Sequence, residues 1–161
     1  MITKLLESIK DYLHQLSSMN LNQQQSDFFK WKYNNSIDVH CKSYKSNNEL
    51  KKIVEEFLKY NKLKQKECYY NAFKIVSFDS RIQYIDGFSD IYGIPIEHAW
   101  NCFNGIYFDL TREVVLDDNV ESCNYTQIIK LNSGEVAHFA SKTGIAGSYI
   151  GSYYQERVLK K

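Results

Sequence analysis

The sequence predicts an α+β fold, with helices packed on an antiparallel sheet. Three features carry that expectation. Apolar residues recur at helical spacing over 3–17 and 48–60, a cysteine leads a short apolar run at 68–77, and Asn104-Gly105 sits between two apolar runs. The last is the strongest short-range hairpin signal, because a type I′ turn needs positive φ at both central residues.

Ile2, Leu5, Leu6, Ile9, Leu13 and Leu16 make residues 3–17 an amphipathic helix, with Thr3 as its cap. Its polar face mixes Glu and Asp with Lys and lacks the basic bias of a membrane-surface helix, so it is read as a covering helix. Ser17 to Ser26, rich in Asn, Gln and Ser, reads as a loop. Phe28, Phe29, Trp31 and Tyr33 form an aromatic cluster, and Ile37 to Cys41 alternates as a short strand. In the helix over 48–60, Leu50, Ile53, Val54, Phe57 and Leu58 form the apolar stripe.

A third helix is expected over 68–77, with Ala72, Phe73 and Val76 on its buried face and Cys68 in its first turn. Arg81 to Phe88 reads as a strand, and Tyr92 to Pro95 as a turn before the hairpin of 96–103 and 106–111. Pro95, the only proline, stands where a strand begins and costs no interior ladder bond. Val114 to Leu116 is read as a further strand. Asn124 to Leu131 and Gly134 to Ala140 stay ambiguous, and Tyr149 to Lys160 is expected to close the chain as a helix. The whole of 1–161 is read as one domain, with 1–47 as a covering helix and loop region.

Composition bounds the function. With 161 residues the chain is long enough to bury a core, and its formal charge of +1 gives no reason to expect nucleic acid or an anionic membrane as partner. The four cysteines lack CxxC spacing and follow no secretory signal, and Lys4, Glu7, Lys10 and Asp11 interrupt any apolar leader. Free thiols and a cytoplasmic location are expected, with no transmembrane segment and no cofactor. A zinc site from Cys41, Cys102, Cys123 and the histidines is disfavoured by spacing, and His14, His40 and His138 are read as structural.

Register then points to chemistry. With Asn104-Gly105 as the turn, Phe103 faces Ile106 and Cys102 faces Tyr107; counting on, Trp100 faces Asp109 and His98 faces Thr111. One face carries Ala99, Asn101, Phe103, Ile106, Phe108 and Leu110, a core face; the other carries His98, Trp100, Cys102, Tyr107, Asp109 and Thr111. His98 and Asp109 are diagonal neighbours, about 7 Å apart at the backbone, a gap that an imidazole and a carboxylate close by one hydrogen bond. A His oriented by an Asp is two thirds of a nucleophilic triad. Cys68 at a helix start is the natural third member, since unpaired N–H groups, the helix dipole and a neighbouring imidazolium favour thiolate. Asn101 lies on the opposite face, so Asp109 is the preferred partner of His98.

These residues resemble a family. Cys68 with Asn71-Ala72, then Tyr84-Ile85-Asp86-Gly87-Phe88, then His98-Ala99-Trp100, then Gly105 to Thr111 with Asp109 and Thr111, is similar to the transglutaminase-like core of the papain-like cysteine enzymes. The match covers a quarter to a third of the chain, in order. It departs from the family where Lys66-Glu67 replace a Gly or Trp close before the cysteine, and where Leu110 replaces a Pro between the Asp and the Thr.

The resemblance implies a Cys68, His98, Asp109 triad and a thiol-dependent acyl-transfer enzyme, foremost a cysteine peptidase or amidase with a protein or peptide substrate. A transglutaminase or glutamine deamidase shares the first half-reaction and stays open. A non-catalytic protein- or glycan-binding module on the same scaffold is the reading of another class. Gln65 and an aromatic hydroxyl or indole are the candidates for the second oxyanion donor. Trp100 is either a wall of the acyl site or a packed aromatic.

Overall fold

A computed structural model describes residues 8–160. The chain is α+β, with a five-stranded antiparallel sheet in the order β1-β5-β2-β3-β4. Helix α1 spans Ile9–Ser18, and the Ser8 side chain accepts from Asp11 N–H at its start. Thr3 and the first residues of the expected 3–17 helix lie outside the described residues.

Residues 17–26 are not a loop throughout. Asn22 caps helix α2, Gln23–Asn35, by accepting from Gln25 N–H. Its polar first turn hid a helix that is held by its aromatics: Phe28 and Trp31, one turn apart, stack at 6.2 Å and reach Tyr154 at 4.9 and 5.1 Å. Lys32 on the same helix is buried, with its ammonium 4.6 Å from the Phe28 ring centroid and 3.5 Å from the Glu97 carboxylate.

Strand β1, Ile37–Val39, leads through a short 3-10 turn to helix α3, Asn48–Tyr60, whose cap Asn47 accepts from Glu49 and Leu50 N–H. Helix α4 is Cys68–Phe78. Strands β2, Ile82–Ile91, and β3, Ile94–Phe103, form a hairpin through Tyr92-Gly93, both at positive φ (51° and 77°). The expected Tyr92 to Pro95 turn is thus two residues, and both strands are longer than the sequence indicated.

The Asn104-Gly105 turn forms as predicted, with φ 47° and 81°, and pairs Phe103 with Ile106 and Cys102 with Tyr107. Strand β4, however, is only Ile106–Phe108. The expected extension to Thr111 is replaced by a turn into a π-helical segment, Thr111–Val115, so Val114 to Leu116 is not a strand. Strand β5, Tyr125–Leu131, and helix α5, Ser133–Thr143, resolve the two ambiguous stretches. A capping box of Asn132 and Glu135 starts α5. The chain closes with α6, Ile150–Tyr153, continued by a π-helical turn over Tyr154–Val158.

The sheet curls into a half-barrel. After β1 leaves one edge, Cys41 bridges Tyr107 on β4 at the other, and Lys42 N–H donates to the Tyr107 carbonyl at 2.8 Å. Val39, Cys41, Ile85, Trp100, Cys102, Val120 and Tyr125 fill the enclosed side. Helices cover the other side, where Leu50, Val54 and Phe57 of α3, Ala72, Ile75 and Val76 of α4, and Val136 and Phe139 of α5 meet Ala99, Phe103, Phe108 and Leu110. As far as Phe108 the two hairpin faces read from the sequence are these two cores. Beyond it the expected Trp100–Asp109 and His98–Thr111 pairings do not form, because the chain leaves the sheet and Thr111 turns to the helix side to accept from Asn71.

A bulge between β2 and β5 at Asp86/Gly87 leaves Ile128 without a partner. It turns the consecutive Ile128 and Ile129 toward the helices. Gly87 is required there: a Cβ would sit 2.2 Å from the Thr126 carbonyl oxygen. Among the described residues no helix is long and apolar enough to cross a membrane.

Candidate active site

Cys68 is the first residue of α4 and is partly exposed. The turn that delivers it is unusual. Lys66 has φ +62°, in the left-handed region, and Glu67 precedes the helix without a side-chain capping bond. A lysine therefore adopts the conformation that glycine favours. Asn71 N–H returns to the Glu67 carbonyl at 2.9 Å, while the N–H groups of Cys68, Tyr69 and Tyr70 have no partner among the described residues. Such a helix start concentrates partial positive charge beside the sulfur.

His98 on β3 is 4% exposed. Its Nε2 lies 2.6 Å from Asp109 Oδ2. Cys68 is the other group whose proximity raises the imidazole. Because Nε2 is committed to Asp109, Nδ1 is the nitrogen left for sulfur. Trp100 lies against the ring, with centroids 6.1 Å apart and planes 18° apart.

Asp109 leaves the sheet directly after β4 and is 1% exposed. Its Oδ1 accepts from Arg112 N–H at 3.1 Å, and its Oδ2 accepts from the Tyr125 hydroxyl at 3.0 Å. The Arg112 Nε is 3.9 Å away. Burial acts to raise the carboxyl, but the charge and hydrogen bond of His98, with the Arg112 and Tyr125 bonds, outweigh it and hold Asp109 below the usual carboxylate range. Burial likewise acts against the imidazolium, yet the charge and hydrogen bond of Asp109 and then Cys68 push His98 up to about 9.

The described residues thus bring Cys68, His98 and Asp109 together at one end of the half-barrel, where the first turn of α4 meets β3 and the end of β4. Comparison of the chain with protein-family models, with curated proteins and with solved structures finds no match. What the site can do follows from its own geometry: a thiol at a helix start, a charged imidazole and a buried carboxylate in series are the parts of a nucleophilic relay.

The remaining expected residues fall differently. Gln65 is exposed in the turn before the helix, and its side chain makes no hydrogen bond among the described residues. Trp100 is 1% exposed, and its buried Nε1–H has no partner among the described residues. It backs the imidazole and is the packed aromatic of the two alternatives, since an indole sealed in the half-barrel core offers substrate no wall. Asn101, on the helix side, donates to the Ala72 carbonyl at 3.1 Å and does not touch His98.

Tyr125 and Arg112, which orient Asp109, carried no sequence signal, because both come from segments whose structure was illegible. Among the described residues no three His, Cys, Asp or Glu side chains are placed to share a metal ion.

Proposed function

We propose that this chain is a thiol-dependent acyl-transfer enzyme acting on peptide or amide bonds, with Cys68 as nucleophile, His98 as general acid and base, and Asp109 as the group that orients and charges the imidazole. The observation that carries the reading is the 2.6 Å contact of His98 Nε2 with Asp109 Oδ2, on an imidazole that Cys68, at the start of α4, is near enough to influence. A cysteine in a merely structural role needs neither a helix start with unpaired N–H groups nor a carboxylate-backed imidazole.

In the first half-reaction the Cys68 sulfur attacks the carbonyl carbon. The Cys68 N–H and one further donor hold the oxyanion, for which the exposed Gln65 side chain is within the same turn. The C–N bond breaks as His98 gives its proton to the leaving amine, leaving a thioester. A second nucleophile then loses its proton to His98 and attacks the thioester, and the sulfur leaves as thiolate. With water the product is a carboxylic acid; with an amine it is a new amide. The chemistry up to the thioester is shared by peptidase, deamidase and transglutaminase.

The test is acylation by an activated p-nitrophenyl ester. The reading expects a burst close to one equivalent, with the acyl mass on the Cys68 peptide, absent in Cys68→Ala and slowed by roughly two powers of ten or more in His98→Ala. Partition of the acyl group between water and an added primary amine then separates hydrolase from transferase. Acylation at no cysteine, or equally at Cys68 and Cys123, would leave the non-catalytic binding module as the reading.

A further inference from the structure

The three groups of the triad come from three separate elements, so something must hold the first turn of α4 in register with the end of β4. Asn71 lies one turn beyond Cys68 and is 2% exposed. Its side-chain oxygen accepts from Lys64 N–H at 2.9 Å, and its Nδ2 donates both to the Lys64 carbonyl at 2.8 Å and to Thr111 Oγ1 at 3.0 Å. Thr111 is 6% exposed and stands two residues after Asp109. One buried carboxamide therefore grips, on one side, the strand of chain that turns into Cys68 and, on the other, the first residue of the π-helical turn that follows Asp109.

We infer that Asn71 and Thr111 are positioning residues that lock the Cys68 turn to the Asp109 segment, fixing the sulfur against the imidazole without touching substrate. The inference rests on the reading of Cys68, His98 and Asp109 as a nucleophilic relay. Both residues are buried, and their mutual bond is the only side-chain hydrogen bond among the described residues that runs directly between α4 and the Thr111–Val115 turn. The Lys64 bonds alone would suffice to pin the loop before the helix. The bond to Thr111 adds a fixed distance between nucleophile and carboxylate segments, which proximity catalysis requires.

Thr111→Val tests this with little change of shape, because it removes the acceptor and leaves the Lys64 bonds in place. The readout is the pH profile of Cys68 alkylation by iodoacetamide, followed by mass spectrometry, with thermal stability measured in parallel. The clamp predicts that Thr111→Val slows Cys68 alkylation at pH 6 by roughly ten- to a hundredfold, and that Thr111→Ser, which keeps the hydroxyl, restores the wild-type profile. Thr111→Ala serves in the same way should the valine variant not fold.

A purely structural Thr111 gives a lower melting temperature with an unchanged alkylation profile, and that result overturns the clamp while leaving the relay standing. A wild-type protein in which Cys68 alkylates no faster at pH 6 than Cys123 overturns the relay and the clamp together.

Discussion

The Tyr125 hydroxyl donates to the same oxygen of Asp109, Oδ2, that faces His98. One carboxylate oxygen is therefore held from β5 and from β3 at once, while the other is held by the Arg112 backbone. A hydrogen bond to a buried charged group contributes about 1.5–3 kcal/mol. Tyr125→Phe is expected to destabilise the fold by about that amount and to slow acylation of Cys68 roughly tenfold. Chemical denaturation and burst kinetics on the same variant check both.

Gly87 pairs with His98 across β2 and β3, at the bulge where β5 comes closest. Gly87→Ala would press a methyl group into the Thr126 carbonyl and the Gln127 backbone, which cannot rotate away. The expected cost is about 3 kcal/mol or more, together with displacement of His98. Urea unfolding gives the first, and the alkylation rate of Cys68 the second.

Asp86 is fully buried next to this bulge. Its Oδ2 accepts from Ser148 Oγ at 2.9 Å and Tyr149 N–H at 2.7 Å, while its Oδ1 has no partner among the described residues. Burial, only partly offset by those bonds, raises the carboxyl to about 7. A carboxyl raised on folding keeps its proton in the native state after the unfolded chain has lost it, so this group makes stability fall as pH rises from about 4 to about 7 and level off above. Asp86→Asn mimics the neutral form. Its stability relative to wild type should rise across that window by a few kcal/mol, measured by denaturation at pH 5 and pH 8.

Lys66 holds a left-handed backbone two residues before Cys68. That conformation costs an L-residue roughly 1–2 kcal/mol, part of which glycine returns as chain entropy. Lys66→Gly should stabilise by about 0.5–1 kcal/mol, and the β-branched Lys66→Val should destabilise by a similar amount. Denaturant midpoints at constant slope decide it.

The hairpin and the helices with strong stripes were legible because local rules govern them. Asn104-Gly105 dictates its own turn, and α3 matched its predicted bounds through its apolar period. The pairings next to the turn followed from that register, whereas Asp109 meets His98 from the turn after β4 and not as the cross-strand diagonal neighbour the register predicted. Where tertiary contacts override local pattern the sequence misled. α2 is polar at its start and is held by Phe28 and Trp31 against the last turns of the chain, a contact more than a hundred residues away.

β4 stops at Phe108 because Leu110 and Thr111 are taken by the helix side, Thr111 through Asn71. The second layer of the site was silent for the same reason. Tyr125 lies in a strand that alternates poorly around a bulge, and Arg112 in a π-helical turn that the sequence did not indicate.

The central claim is that His98, charged by Asp109, acts on the Cys68 sulfur, and the pH dependence of alkylation at the four cysteines tests it most directly. Cys41 and Cys102 are buried, and burial pushes both thiols up, so they serve as inert references. Cys123, partly exposed beside Arg112 at 3.1 Å, is the demanding control. The account predicts that Cys68 alone reacts fast well below pH 8, that its rate changes again as His98 loses its proton near pH 9, and that His98→Ala abolishes the advantage. A Cys68 that reacts no faster than Cys123, or that is indifferent to His98→Ala, would contradict it.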